Sequence, residues 1–424
     1  MNEMIYWLWL SMAVTPGSSA FRDLYQRYPN VKVIYELDRS DYVRILGSKS
    51  KDITALSDKN TDKAEEILEY CERKNIGLLT YGSPQYPSNL RKISNPPVLL
   101  YYRGVLPDFE KLFCVCTVGT RRLSDYGKRN AFNISFDLAK SGATIVSGMA
   151  IGIDGVSHAA AIAAEKPTIA FLGTGIDVCY PKQHQRLARE IVKTGCIFTE
   201  YPPGTQPNKP NFPIRNRLIS GISDIALIIE GKARSGALWS ARHAEEQGRV
   251  VYAMPGNVGN INSELPNLLI KNGARLCSCA DDIVRDFADA SLGKLNPFEM
   301  PLKNSVNMEQ VISQLAVSCV TIDDRIFRHS RTAKRSFSNE EIQSESSLAE
   351  QTANKEEKPK SISMVGFDKT AIKIYQKIPR EQECKIETLI DDELPLRVIM
   401  KGLLQLEMAK LVDMLPGEKV RRKF

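Results

Sequence analysis

Short runs that are apolar at nearly every position recur through the middle of the chain, at Leu112–Val118, Ala143–Ser147, Thr168–Leu172, Cys196–Thr199, Asp224–Ile229 and Arg249–Ala253. Strands covered on both faces need that pattern, and helical periodicity fills most of the intervals. The expected fold class is therefore α/β, a doubly wound, mostly parallel sheet. Upstream, residues 1–80 read as a small helical domain. Tyr6–Ala13 is apolar, Pro16-Gly17 makes a turn, a second helix starts near Ser18, and Ala64, Ile67, Leu68 and Cys71 fall at helical spacing within Asp62–Lys74. Helix, P-G turn and helix is the outline of a helix-hairpin-helix fragment.

Downstream, Arg328–Lys360 is dominated by Ser, Glu, Lys, Arg, Gln and Asn, with few apolar residues to offset the entropy of ordering. A flexible linker over 288–365 follows, leaving 81–287 for the sheet. From 366 to 424 the pattern predicts helices at Phe367–Ile378, Ile386–Ile390 and Pro395–Glu407, then a hairpin turning at Pro416-Gly417. That is the order of a winged helix.

Composition suits a multidomain globular protein: 424 residues, 43% apolar and 25% charged. The longest apolar stretch, Met4–Leu10, falls short of the roughly 20 residues of a membrane span. The start lacks a basic n-region and a cleavage site, and the nine cysteines are odd in number and irregularly spaced. A reducing compartment, the cytoplasm, is expected, with no membrane association. Cys114/Cys116 and Cys277/Cys279 fit the period of a strand better than a zinc site, so no metal is expected.

Charge sharpens the picture. The chain carries 57 Lys+Arg against 50 Asp+Glu, a net +7. Leu112–Leu276 alone has 19 against 12, also +7, whereas 366–424 has 12 against 10. A surplus concentrated in one domain is the footprint of a polyanion partner. Its cations also fall where ligands of doubly wound sheets bind, past the strand carboxyl ends. Gly119, Thr120, Arg121 and Arg122 follow the first strand, and Ser147 and Gly148 end the second. Lys182 follows Tyr180-Pro181 after the third. Lys209, Arg215, Asn216 and Arg217 lie in the crossover after the fourth, and Arg234, Ser235 and Gly236 follow the fifth. Small residues admit a phosphate to backbone N–H groups, and arginines add forked, charge-assisted bonds. These are more cations than one nucleotide needs, which favours single-stranded nucleic acid. Tyr180, Tyr201 and Phe212 are available to stack bases or to fill the core.

An enzyme reading has less to stand on. Gly148–Gly152 lacks the third glycine of a dinucleotide fingerprint, and no Walker loop occurs. No cofactor is expected. Asp154 and His158 are four residues apart and could share a helix face as an acid/base pair, but no nucleophile elbow accompanies them. A histidine holding a turn is the plainer reading. Glu230 is a base or, more simply, a carboxylate organising arginines and backbone donors. No catalytic residue is assigned.

In order, the segments YGSPQYPSNL, PPVLLYYRG, VGTRRLSDYG, SGMAIGIDGVSH, LGTGIDVCYP, FPIRNRLISGIS, EGKARSGALWSA, PGN and NLLIKNGA resemble the DprA/Smf family of DNA-processing proteins, from about Tyr81 to Ala274. The resemblance implies an extended Rossmann domain, commonly preceded by a SAM or helix-hairpin-helix domain and followed by a winged helix. It implies a non-enzymatic, homodimeric protein that binds and protects single-stranded DNA in natural transformation and helps load the RecA recombinase. By motif, Arg121 resembles the basic residue of the family's G-S-R turn, Lys182 follows its Tyr-Pro, and Lys209 precedes the F-P-x-R-N-R segment with Arg215 and Arg217. Two positions depart from the family pattern: His184 stands where Asn is usual, and Leu265 where Gly is usual. A nucleotide phosphoribohydrolase would instead carry a P-G-G-x-G-T-x-x-E loop, and the corresponding stretch here is ARSGALWSARHAE. A pure protein-binding scaffold would leave the clustered cations without a role.

Overall fold

A computed structural model describes residues 2–288, 291, 293–295 and 306–321, and part of 369–422. The chain forms two compact units, Met1–Ala333 and Lys334–Phe424.

The first unit opens with α1 (Glu3–Ala13), α2 (Ala20–Arg27), α3 (Val31–Glu36), α4 (Arg39–Leu46), α5 (Ile53–Ser57) and α6 (Asp62–Arg73). Asn2 caps α1 by accepting from the Met4 N–H, and a reciprocal Asp38–Asp41 capping box starts α4. Trp7, Leu8, Trp9 and Leu10 are buried along α1, and the Lys59 ammonium lies 4.9, 5.2 and 4.7 Å from the rings of Trp9, Tyr35 and Tyr42. The three short helices α3 to α5 have too few turns to show in periodicity.

The sheet is built from β1 (Gly77–Thr80), β2 (Leu99–Gly104), β3 (Phe113–Val118), β5 (Ala143–Ser147), β6 (Thr168–Phe171), β7 (Cys196–Thr199), β8 (Ile225–Ile228), β9 (Val250–Ala253) and β10 (Arg275–Leu276); β4 is the short Arg122–Leu123. The nine strands are ordered β1-β2-β7-β6-β5-β3-β8-β9-β10. Strands from β7 to β10 run parallel, and β2 and β1 are added antiparallel at one edge. The six apolar runs all became strands, each within one residue at either end. The chain winds from β3 out to β7, then crosses back to β8 beside β3, so its switch point lies at the carboxyl ends of β3 and its neighbours.

Helices cover both faces. On one side α8 (Asp125–Lys140), α9 (Ile153–Ala163), α10 (Gln185–Thr194) and α14 (Ala280–Phe287) pack on Val115 and Ile145, in one apolar core that also holds Trp7, Leu10 and the β2 residues Leu99 and Tyr101. The N-terminal helices therefore share their core with the sheet. On the other side α7 (Ser88–Arg91), α11 (Asn211–Ile222), α12 (Gly236–Glu246) and α13 (Glu264–Lys271) pack on Cys114, Cys116 and Val146. Cys114 and Cys116 thus point to one apolar face, as strand period requires.

Residues 306–321, assigned to the linker from composition, are folded: α15 (Met308–Gln314) buries Ile312 beside Leu315 and Val317, and β11 (Val320–Thr321) pairs parallel with β4. The strongly polar composition begins only at Arg328, and its stretch to 365 lies outside the described residues. In the second unit, α16 (Lys369–Lys377) accompanies a three-stranded antiparallel sheet of β12 (Glu383–Lys385), β14 (Lys419–Arg422) and β13 (Val412–Leu415) in that order. The helix expected at 386–390 is a 3₁₀ turn, Ile386–Leu389. The described residues of the third, at 398–399, 402–403 and 406–407, are helical.

One buried ion pair fastens α11 beside the N-terminal turn. Arg217, 2% exposed, donates from Nη2 to Glu200 Oε2 at 2.5 Å, and the small cavity around them is lined by Thr15, Pro16 and Gly17. A Cβ at Gly17, where φ is +83°, would stand 3.0 Å from Ile214 and 3.5 Å from the Arg217 Nε. Removing one partner of such a pair strands the other charge in the interior. Arg217→Ala is expected to lower unfolding free energy by about 3 to 5 kcal/mol, measured by denaturant titration.

Candidate nucleic-acid interface

The floor of the site is built from the ends of β3, β5 and β6. Ser147 is fully buried and donates from Oγ to the Thr117 carbonyl at 2.6 Å, tying β5 to β3. The next residue, Gly148, donates its N–H to Asp154 Oδ2 at 3.2 Å, and its carbonyl accepts from Arg215 Nη1 at 2.8 Å. A Cβ there would stand 2.5 Å from Arg215 Nη2, so any side chain would have to displace the Arg215 guanidinium from its carbonyl partners. The same guanidinium donates to the Phe171 carbonyl at the end of β6. Arg215 is 3% exposed. Burial, partly offset by Asp154, brings its pKa down to about 10, leaving the cation intact at neutral pH. Burial raises the Asp154 pKa, against the pull of Arg215 and of two backbone donors.

Above this floor opens a cleft lined by Arg121, Gly148, Ala150, Ile151, Leu172, Gly173, Thr174, Tyr180, Pro181 and Phe212. The Arg121 guanidinium lies 5.5 Å from the Phe212 ring centre, and the Phe212 and Tyr180 rings are 5.4 Å apart, tilted by 41°. Tyr180 is 41% exposed. The cis Tyr180–Pro181 peptide leads directly into exposed Lys182. Arg121 rides on a tight turn: Thr120 Oγ1 accepts from the Arg122 N–H at 3.1 Å, and a Cβ on Gly119 would stand 2.5 Å from Ile153. Cation, π faces and a glycine-floored backbone therefore meet at the sheet's switch point, a combination suited to a phosphate beside a base.

A family model described as DNA recombination-mediator protein A matches residues 77–288, the span of this sheet and its cleft. The chain belongs to the DprA/Smf family. It is 36% identical over 236 residues, covering 56% of this chain and 80% of the relative, to DNA processing protein DprA of Bacillus subtilis. It is 40% identical over 202 residues, 48% and 71% of the two chains, to DprA of Streptococcus pneumoniae. The X-ray structure of DNA processing protein A from Streptococcus pneumoniae is similar with a TM-score of 0.59 at 32% identity, covering 68% of this chain and 98% of that one.

The positions matching DprA/Smf motifs separate into distinct environments. Arg121 and Gly148 line the cleft, and Arg122 and Lys182 are exposed beside it. Lys209 is exposed in the loop before α11. Arg215 lies beneath the cleft, bonded to backbone carbonyls, and Arg217 faces the N-terminal turn with its charge balanced by Glu200. Asn216, between them, is half-buried. Arg234 and Ser235 lie in the turn between β8 and α12, Gly236 opens α12, and none of the three lines the cleft. Tyr201 is buried, its hydroxyl donating to the Asn211 carbonyl at 3.4 Å, so it serves the core while Tyr180 and Phe212 serve the cleft.

Both departures from the family pattern have structural partners. His184 is buried and bridges the Met149 carbonyl to the Ser318 N–H. Leu265 is fully buried against Gly231, filling the space under α13. Asp154 and His158 do not pair with each other: His158 Nδ1 lies 2.8 Å from Thr168 Oγ1, which donates to the Ile145 carbonyl. Glu230 is buried and accepts from the Ser124 N–H and hydroxyl and from Asn262 Nδ2. It organises the turn after β3 through those donors. Asn262 carried no signal in sequence reasoning, nor did the Asp154–Arg215 association. Among the described residues no group of three His, Cys, Asp or Glu is placed to hold a metal, and no helix is long and apolar enough to cross a membrane.

Burial brings the His158 pKa down to about 3, from an ordinary 6.5. Between those values the unfolded chain takes up a proton that the fold refuses. Stability is therefore full above pH 6.5 and is lost as pH falls, by up to about 1.4 kcal/mol per pH unit for one such group. Denaturant midpoints at pH 7 and pH 5 should differ more for the natural protein than for His158→Gln.

Proposed function

We propose that the cleft binds single-stranded DNA without sequence preference, and that the bound protein protects the strand and presents it to a RecA-type recombinase in natural transformation or homologous recombination. The observation that carries this reading is the stack of Arg121, Phe212 and Tyr180 over the Gly148–Arg215 floor. A duplex keeps its bases stacked inward, whereas an unpaired strand can lay a base on the exposed Tyr180 ring and the half-buried Phe212 ring while a phosphate meets Arg121. Lys182, Arg122 and Lys209 extend the positive track, and Arg234, Ser235 and Gly236, outside the cleft, are read as a further backbone contact. Gly119, Thr120 and Gly148 allow the backbone close approach. Arg215 contributes its charge from below, without touching the strand. The function needs no bond-making residue, and the protein acts as a non-enzymatic mediator in the cytoplasm.

The relatives' description as DNA-processing proteins supports the same reading. Homodimerisation through the edge strand β10 and α13 fits the exposure of Leu276 and Leu268 there. The C-terminal unit is read as a winged helix.

The site assignment is tested by Arg121→Ala. Affinity for labelled single strands should fall about equally across sequences, and the slope of log K against log salt should drop by roughly one unit. Unchanged affinity and slope would remove Arg121 from the interface.

A further inference from the structure

The chain beyond the family-matched span returns to the rear of the cleft. Ser318 accepts from the Gly152 N–H through its carbonyl at 3.1 Å and donates its own N–H to His184 Nε2 at 2.9 Å. Two residues later β11 begins, with Val320 opposite Arg122 and Thr321 opposite Leu123. Val317 is buried against α9: a Cβ on Gly155 would stand 2.9 Å from it and 2.9 Å from the His184 ring. The Lys128 ammonium adds an ion pair to Glu309 at 2.7 Å.

These contacts converge on the turn that carries Arg121. Gly152, with φ at +88°, lies so close beneath that turn that a Cβ would stand 2.5 Å from the Thr120 carbonyl and 2.9 Å from the Arg121 Cα. The neighbouring Ile153 N–H bonds the Thr120 carbonyl at 3.3 Å. His184 fixes the other side. Its Nδ1 faces the Met149 carbonyl at 3.0 Å and must donate, so its Nε2 is free to accept from Ser318. Met149 itself holds a left-handed φ of +56° at the turn following Gly148. None of residues 306–321 lines the cleft, and Arg121 and Arg122 remain exposed with the segment docked. The segment supports the cleft from behind and does not cover it.

We propose that residues 306–321 are a strap that positions Arg121 for the bound strand, with His184 and Ser318 as its anchor. The proposal rests on the cleft being the single-strand site. On this account His184 is a positioning residue, and its presence where the family usually has Asn is matched to a strap docked on this chain.

Two variants of the full chain test it: Val317→Asp, which charges the buried face of the strap, and His184→Asn, the usual family residue, which is too short to span from Met149 to Ser318. Hydrogen exchange of the amides of Gly152 and of residues 315–321 reports docking. Anisotropy with a labelled single-stranded oligonucleotide reports affinity. Faster exchange should accompany affinity weakened roughly 3- to 30-fold, and the loss should vanish when the same change is made in Arg121→Ala. Faster exchange with affinity unchanged or increased, or an equal loss in the Arg121→Ala background, would overturn the strap's positioning role while leaving the cleft in place. Binding by Arg121→Ala equal to the natural protein would overturn the cleft reading and the strap proposal together.

Discussion

A guanidinium with almost no access to water organises the centre of this protein. Arg215 reaches from α11 to the carbonyls of Gly148 and Phe171, locking together the ends of β5 and β6. A buried cation is costly unless acceptors and an opposite charge are near; here the two carbonyls take Nη1, and Asp154, which also holds the Gly148 and Ala150 N–H groups, favours the cation electrostatically. The glycine at 148 makes room for that side chain. The open cleft with Arg121 and Tyr180 stands on this base.

The arrangement divides arginines that look alike in sequence into two kinds. Arg215 and Arg217 are separated by one residue in α11, both buried, and each has its partners within the protein, Arg215 Nη1 on two carbonyls and Arg217 Nη2 on Glu200, with Arg215 Nε and Arg217 Nε and Nη1 left unbonded. Arg121, Arg122, Lys182 and Lys209 are exposed, where charge is cheap to maintain and available to a partner. Charge counting registers both kinds equally. Only packing tells which cation builds the floor and which faces outward.

Much of the fold was legible because parallel strands buried on both faces have a distinctive signature, and each of the six apolar runs became a strand. The antiparallel pair β1 and β2 escaped because it precedes the stretch where strands alternate with helices, although Leu99, Leu100 and Tyr101 are as apolar as the others. The fold of 306–321 escaped because seven apolar positions from Val306 to Val317 were averaged with the polar chain that follows. At the site, glycines and cations at strand ends were visible as types at positions. The electrostatic coupling of Asp154 to Arg215, the separation of Asp154 from His158 and the approach of Arg121 to Phe212 depend on how distant segments are brought together, which no local pattern encodes.

The central claim is that an exposed aromatic and cationic cleft selects an unpaired strand. The most direct measurement is a fluorescence-anisotropy titration of the full chain against labelled single-stranded and double-stranded oligonucleotides of equal length at two salt concentrations. The account predicts tight, salt-sensitive binding that favours the single strand. Weak binding, or equal binding to both forms, would contradict it.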